Sequence, residues 1–408
     1  MYFGEIRLNW QPLLAASIGI AMGTALSHYT LSLFGPPMLA EFGWSKAQFA
    51  LIGSLPLITA LLIPFAGRFT DRFGARVAAM VGFTAVPLGF LAFTAMNGNI
   101  AEFFAIYVVQ HIFGILTTSL VFARVVVERF DLARGIALSI LMTGPPLSGA
   151  IAAPVLGELI QAEGWRAGYV ALALLSGIGG WLAVLLMGSN SRRVVRKNPE
   201  LQLSWRELFD LLRHPILLLA VVGMFLVNIP QSVASSQLKL VLFDNGISDN
   251  AASWMLSLYA IGVIVGRFAS GFALDRIATH FVAISALGLP AIGLLVMASP
   301  LDLVWIMSMA VLLIGLAQGA EGDIGAFLIS RRFDMKNYSL LLSFMTLAIL
   351  TGNAIGSLIL SFTLVLTGSY TPFLIICAVA TVFGALLFFL TGNRKSAPLA
   401  PSLAQDVA

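Results

Sequence analysis

Long apolar runs recur along the 408-residue chain, near 12–35, 46–66, 77–96, 101–123, 134–160 and 167–188, then near 214–239, 250–271, 279–299, 302–328, 338–365 and 370–391. Each is about the length a helix needs to cross a bilayer, roughly 20 residues. Inside lipid a segment must satisfy its own backbone N–H and C=O groups, so these runs are helical; the two-residue alternation of a membrane barrel is absent. The expected fold class is an all-α membrane protein with twelve transmembrane helices. Hydrophobic residues make up 59% of the chain and charged residues 10%, with mean hydropathy +0.95, which leaves no room for a sizeable soluble domain.

One polar turn is repeated. The stretch Gly67 to Arg76 places Gly67, Arg68, Asp71, Arg72, Gly74 and Arg76 between spans 2 and 3. A degenerate copy, Gly271 with Asp275 and Arg276, keeps the Gly-x-x-x-Asp-Arg spacing 204 residues later, half the chain length. The chain therefore divides into two six-helix halves of similar design: an N-terminal bundle over 1–189, a linker over 190–213, a C-terminal bundle over 214–393 and a disordered tail over 394–408. In the turn, Gly67 would let a helix end approach a neighbour, Gly74 would allow a bend, the arginines would stay outside the lipid, and Asp71 would pair with an Arg or cap a helix.

Of the 23 Lys and Arg, 18 fall in the termini or the loops after even-numbered spans, which predicts cytoplasmic N- and C-termini. The basic cluster Arg192, Arg193, Arg196 and Lys197 marks the linker, with a short surface helix around Trp205 to Leu212. It reads as a solvated positive-inside loop, a lipid-headgroup site being the alternative. The net charge of +4 follows from this placement and calls for no nucleic-acid partner. Arg7 precedes a long apolar run without a small-residue cleavage site, so the first run is expected to be retained as a span, in a bacterial inner membrane. Cys377 is the single cysteine, which excludes an intrachain disulfide.

The repeated turn closely resembles the loop signature of the major facilitator superfamily. Within it the chain resembles the oxalate/formate antiporter and monocarboxylate porter branch: Glu41 to Ser45 after span 1, Arg134-Gly135 opening span 5, Gly164-Trp165-Arg166 before span 6, Gly319 to Asp323 in span 10, and Thr367 to Tyr370 before span 12. The resemblance implies two bundles around a central cavity, alternating access, and no cofactor or covalent chemistry. No Gly-rich phosphate loop, metal-spaced His/Cys set or nucleophile motif is present, so the chain is not expected to be an enzyme.

Arg267 is the first substrate candidate. It lies one helical turn inside span 8, where a guanidinium needs an interior position and an anionic partner, and its planar fork suits a carboxylate. The resemblance agrees, since porters of this branch carry a carboxylate-binding Arg in this Arg-x-x-x-Gly context. Snorkelling or pairing with a span 10 acid is the alternative. Glu321 and Asp323 are the proton-coupling candidates, but two residues apart they point about 200° from each other. Related porters often place an Asp four residues before the Arg; Val263 stands there instead, which moves attention to Glu321.

His28 and Tyr29 in span 1, Gln110 in span 4, Asn228 and Gln231 beside Pro230 in span 7, and Asn353 in span 11 are further candidates to hydrogen-bond substrate. His28 could also take a proton, or simply pack. Span 11 has Phe344 to Leu347 where oxalate transporters of the branch carry a Lys, so one deep cation fits a monoanion better than a dianion. Small residues and prolines in Thr143 to Gly149 and in Thr351 to Gly356 permit close helix crossing. The expected function is secondary active transport of a small organic monocarboxylate with protons, by a functional monomer. Anion exchange, export of apolar drug-like compounds and a carboxylate sensor are the alternatives.

Overall fold

The computed structural model describes residues 2–188, 213–301, 303–333 and 337–393, and these are helical throughout apart from short connections. The expected linker, with its surface helix and headgroup site, and the expected tail lie outside the described residues, Arg213 apart. Nine helices are individually long and apolar enough to cross a membrane, and a tenth candidate is the bent pair Lys46–Ala60 and Ile63–Phe73, angled at 50°. The remaining two expected spans are broken. The first, α1, consists of Trp10–Met22 and Thr24–Phe42, divided at Gly23. The seventh, α7, consists of Pro215–Val227, a π-turn over Val233–Gln237 and Leu238–Asp244. The others are α2 (the bent pair), α3 (Ala75–Thr94), α4 (Ile100–Arg129), α5 (Arg134–Glu163), α6 (Trp165–Leu186), α8 (Asp249–Leu274), α9 (Thr279–Ala298), α10 (Val304–Arg332), α11 (Tyr338–Thr367) and α12 (Thr371–Asn393).

Local chemistry sets the ends. Gly43, at φ 69°, ends α1, and a reciprocal pair between Ser45 and Gln48 caps α2. Gly74, at φ 88°, makes the sharp break between α2 and α3 that an L side chain would resist. Several stretches that carry the family resemblance are loop ties. Trp44 donates to the carbonyl of Gly98 at 2.7 Å, and Trp165 and Arg166 donate to Glu41 at 2.6 and 2.7 Å, binding the end of α1 to the start of α6.

The halves are joined at one end only. A single core there mixes Phe34, Phe49 and Phe103 of the first half with Leu240, Met255, Leu360 and Phe373 of the second. At the other end each half keeps a core of its own, around Phe83 and Phe122 in one and Met224, Ile324 and Phe388 in the other. Polar ties across the joined end follow the same division. Lys46 meets Asp244 at 2.5 Å, Gln161 donates to Asp249 at 2.6 Å, and the N–H of Lys239 donates to the Ser32 hydroxyl at 2.7 Å. Lys239, placed by sequence only at a span end, is 1% exposed and pairs with Asp249 at 2.6 Å.

Inside the second half, α8 and α10 touch backbone to backbone. A Cβ added to Gly266 would stand 2.0 Å from the Leu316 carbonyl oxygen, and one on Gly319 would stand 2.0 Å from that of Val263. Gly262 and Gly315 face each other in the same seam. Gly319→Ala should lower stability by about 1–3 kcal/mol through overpacking, and Gly319→Leu by more. Gly322, with open space around it, should tolerate Ala. Thermal unfolding in detergent checks this.

The short helix Tyr2–Leu8 is anchored by Glu5, whose carboxylate accepts from the N–H groups of Asp131 and Ala133 at 2.7 and 2.6 Å. These donors hold the Glu5 carboxyl below its ordinary range. A lowered carboxyl stabilises the fold above its unfolded value and loses that contribution as pH falls through its folded value. The Tm gap between wild type and Glu5→Gln should therefore be present at neutral pH and close on acidification.

Candidate functional site

Arg267 leaves α8 beside the glycine seam, its own N–H lying 2.8 Å from where a Cβ on Gly319 would stand. Its guanidinium crosses to the first half, where Nη1 donates to the carbonyl of Met142 at 3.1 Å. That carbonyl is open because Pro146, four residues on, has no N–H to bond it. Nε lies 3.9 Å from the Asp323 carboxylate, beyond hydrogen-bond range, and is buried with no hydrogen-bond partner. The deep cation is thus only partly satisfied.

The span 10 acids separate as their spacing requires. Glu321 is 8% exposed, accepts from Gln318 at 3.2 Å and lies beside Asn228. Asp323 points to the more open side, its side chain 42% exposed, and is the acid nearer Arg267 in ion-pair contact.

A cavity of about 370 Å³ lies between the halves. Arg267 lines it with His28 and Tyr29 of α1, Tyr107 and His111 of α4, Pro145 and Pro146 of α5, Ser235 and Ser236 of the α7 π-turn, and Asn353 of α11. His111 stacks on Tyr107 with ring centroids 3.8 Å apart, and its Nδ1 lies 3.0 Å from the Tyr107 carbonyl. His28 meets Tyr29 edge-on at 4.9 Å, and Tyr29 approaches Tyr259 of the other half at 6.1 Å. The Oδ1 of Asn353 is buried without a partner.

Of the expected substrate residues, Arg267, His28, Tyr29 and Asn353 come together here; Gln110, Asn228 and Gln231 do not line the cavity. Gln110 is 2% exposed, donates to the Val86 carbonyl at 3.0 Å and fills the space above Gly89, so it holds α4 to α3. Its neighbour His111, turned by about 100°, faces the cavity instead. Asn228 donates to the Met224 carbonyl at 2.9 Å, and Gln231 to the Tyr259 hydroxyl at 3.5 Å. Tyr107, Ser235 and Ser236 were not picked out from sequence; the Tyr107/His111 spacing of one helical turn is the signal that marks a shared face.

The repeated turns lie at the parted end. Asp71 pairs with Arg124 of α4 in its own half, and Arg124 also binds Glu128 at 2.8 Å. Arg72 lies over the Phe73 ring, and the Nε of Arg76 is buried without a hydrogen-bond partner. Arg276 lies 3.5 Å above Phe272 and donates to its carbonyl at 3.2 Å, next to Asp275, which caps α8. No atom comes within 4 Å of a Cβ built on Gly67 or Gly271. The close approach expected of Gly67 is not made, because the halves stand apart at that end.

The Major Facilitator Superfamily profile matches residues 16–238 and 221–406. The chain is 25% identical over 250 residues to monocarboxylate transporter 13 of Bos taurus, covering 61% of this chain and 57% of that protein. It is 23% identical over 276 residues to the agnestins efflux protein AgnL12 of Paecilomyces divaricatus, covering 64% and 58% respectively. The chain thus spans less than two thirds of these relatives. Among solved structures, that of the nucleoside transporter NupG superposes with TM-score 0.76 at 13% identity, covering 94% of this chain and 99% of that one. With the profile matching both halves and the helical architecture shared, the chain belongs to the Major Facilitator Superfamily and is a multi-pass membrane transporter rather than an enzyme.

Proposed function

We propose that the chain is a secondary active transporter of a small organic monocarboxylate, coupled to protons and working by alternating access. The observation that carries this is the partly satisfied guanidinium of Arg267 on the wall of the cavity between the halves. A buried charged donor without a partner is costly, and a planar carboxylate satisfies it with parallel hydrogen bonds. The relative named as a monocarboxylate transporter supports the same substrate class.

Arg267 belongs to the second half while His28, Tyr29 and His111 belong to the first, so a ligand held by both sides would tie the bundles together. Glu321 is the proposed proton carrier, with Asp323 as the acid that competes with substrate for Arg267. A proton taken up with the anion leaves the loaded site without added charge, the condition for reorienting it across a low-dielectric barrier. The basic residues of the repeated turns place the parted end toward the cytoplasm, with both termini there, in a bacterial inner membrane. Gly67, Gly74 and Gly271 would then be the flexible points, and Asp71, Arg72, Arg76, Asp275 and Arg276 the contacts remade when that end closes. One chain suffices for the cycle.

Uptake of labelled lactate, pyruvate and an aromatic monocarboxylate into proteoliposomes tests this. An inward proton gradient should drive uptake by wild type. Arg267→Gln should weaken apparent affinity about 30-fold or more, the equivalent of ~2 kcal/mol for a desolvated charge pair. Glu321→Gln should lose the response to the gradient while still exchanging substrate. Uptake that needs internal counter-substrate would assign anion exchange. Full activity of Arg267→Gln, with no acid transported by either protein, would assign export of apolar compounds.

A further inference from the structure

The wall of the cavity away from Arg267 is aromatic, and it limits what the rest of the substrate can be. Tyr107 and His111 present stacked rings from α4, and His28 and Tyr29 add an edge-on pair from α1. At about 370 Å³ the cavity lies in the range of sites that enclose drug-sized ligands. An acid with only a short aliphatic tail would leave most of it filled by water. A planar ring attached to the carboxylate would engage the aromatic faces in stacked or edge-on geometry.

The polarity of one edge is also defined. A carbonyl oxygen can only accept, so the 3.0 Å contact between His111 Nδ1 and the Tyr107 carbonyl puts the hydrogen on Nδ1. In the neutral ring Nε2 is then an acceptor that seeks a donor. Asn353 adds a second acceptor, its buried Oδ1 without a partner. The cavity thus offers a cationic donor for a carboxylate, aromatic faces for a ring, and acceptors for a hydroxyl or N–H on that ring.

We infer that the substrate is an aromatic monocarboxylate bearing a hydrogen-bond donor on its ring, with Tyr107 and His111 as specificity residues. This rests on the monocarboxylate reading of Arg267 given above. It also disfavours amines, which would meet Arg267 as a like charge.

Proton-driven uptake of 4-hydroxybenzoate, benzoate and lactate, compared as kcat/KM in proteoliposomes of the full chain, provides the test. Wild type should prefer 4-hydroxybenzoate to benzoate and benzoate to lactate, each by about tenfold. His111→Phe, which keeps a ring but removes the acceptor, should bring the ratio of 4-hydroxybenzoate to benzoate near one. Tyr107→Leu should collapse the ratio of benzoate to lactate. Wild-type transport of lactate at or above the rate for both aromatic acids would overturn the inference while leaving the monocarboxylate reading in place. Failure of wild type to take up any of the three acids, with Arg267→Gln indistinguishable from it, would overturn both. The wild-type comparison decides the matter even if a variant does not fold.

Discussion

The structure depends on a core that the two halves share at one end and do not share at the other. Phe34 and Phe49 pack in one cluster with Leu240, Met255 and Leu360, while the Phe83 and Phe388 clusters stay within their own halves. The cavity and the parted turns around Gly67 and Gly271 follow from this division. The ion pair across the joined end is not what holds it. Lys46 and Asp244 are each more than a third exposed, and such pairs contribute about 0–1 kcal/mol. A seam held mainly by apolar packing, with weak polar ties that set its register, can part without leaving a fully buried charge alone. Lys239 fits this arrangement, because its partner Asp249 belongs to the same half and would travel with it.

Within the second half the logic is reversed. In lipid no hydrophobic force draws one apolar helix to another, so close association relies on backbones that can touch. Gly262, Gly266, Gly315 and Gly319 supply that contact between α8 and α10, and Arg267 stands at its edge. The cation is therefore mounted on a rigid pair, whereas its hydrogen-bond acceptor, the Met142 carbonyl, belongs to the other half. The Pro146 that frees this carbonyl sits in the Thr143 to Gly149 stretch noted for its small residues and prolines. Its consequence is a specific contact between the halves at the level of the site.

The helices were legible because each apolar run is long and must be helical in lipid, and the halves because one turn recurs. The repeat did not reveal that its two copies would stand apart, since Gly67 has the same sequence context whether or not its end of the molecule is closed. Arg267, His28, Tyr29 and Asn353 could be nominated as polar groups in apolar runs. Choosing Gln110 over His111 failed because polarity alone does not fix which face of a helix meets the cavity. The Gly262/Gly266 spacing is visible in sequence, but its matching pair on α10 becomes meaningful only once the helices are neighbours. The π-turn carrying Ser235 and Ser236 lies beyond Pro230, where a kink was expected but its register was not.

Arg267 and Asp323 are held at a separation suited to exchange of partners. At 3.9 Å two unit charges attract by roughly 1 kcal/mol in water and about 4 kcal/mol at the effective dielectric of a protein surface. The same distance is too long for a hydrogen bond, so Nε keeps its donor capacity. An acid in direct bidentate contact would satisfy the guanidinium and close it to substrate, and an acid much farther away would leave the cation nearly uncompensated between turnovers. In the transport reading proposed above, a carboxylate substrate takes the hydrogen bonds that Asp323 does not make. The acids on α10, deprived of part of their compensation, then shed charge by binding a proton. The departure from related porters at Val263 removes an acid from α8, and the acids that remain lie across the glycine seam, where substrate and proton meet through one guanidinium.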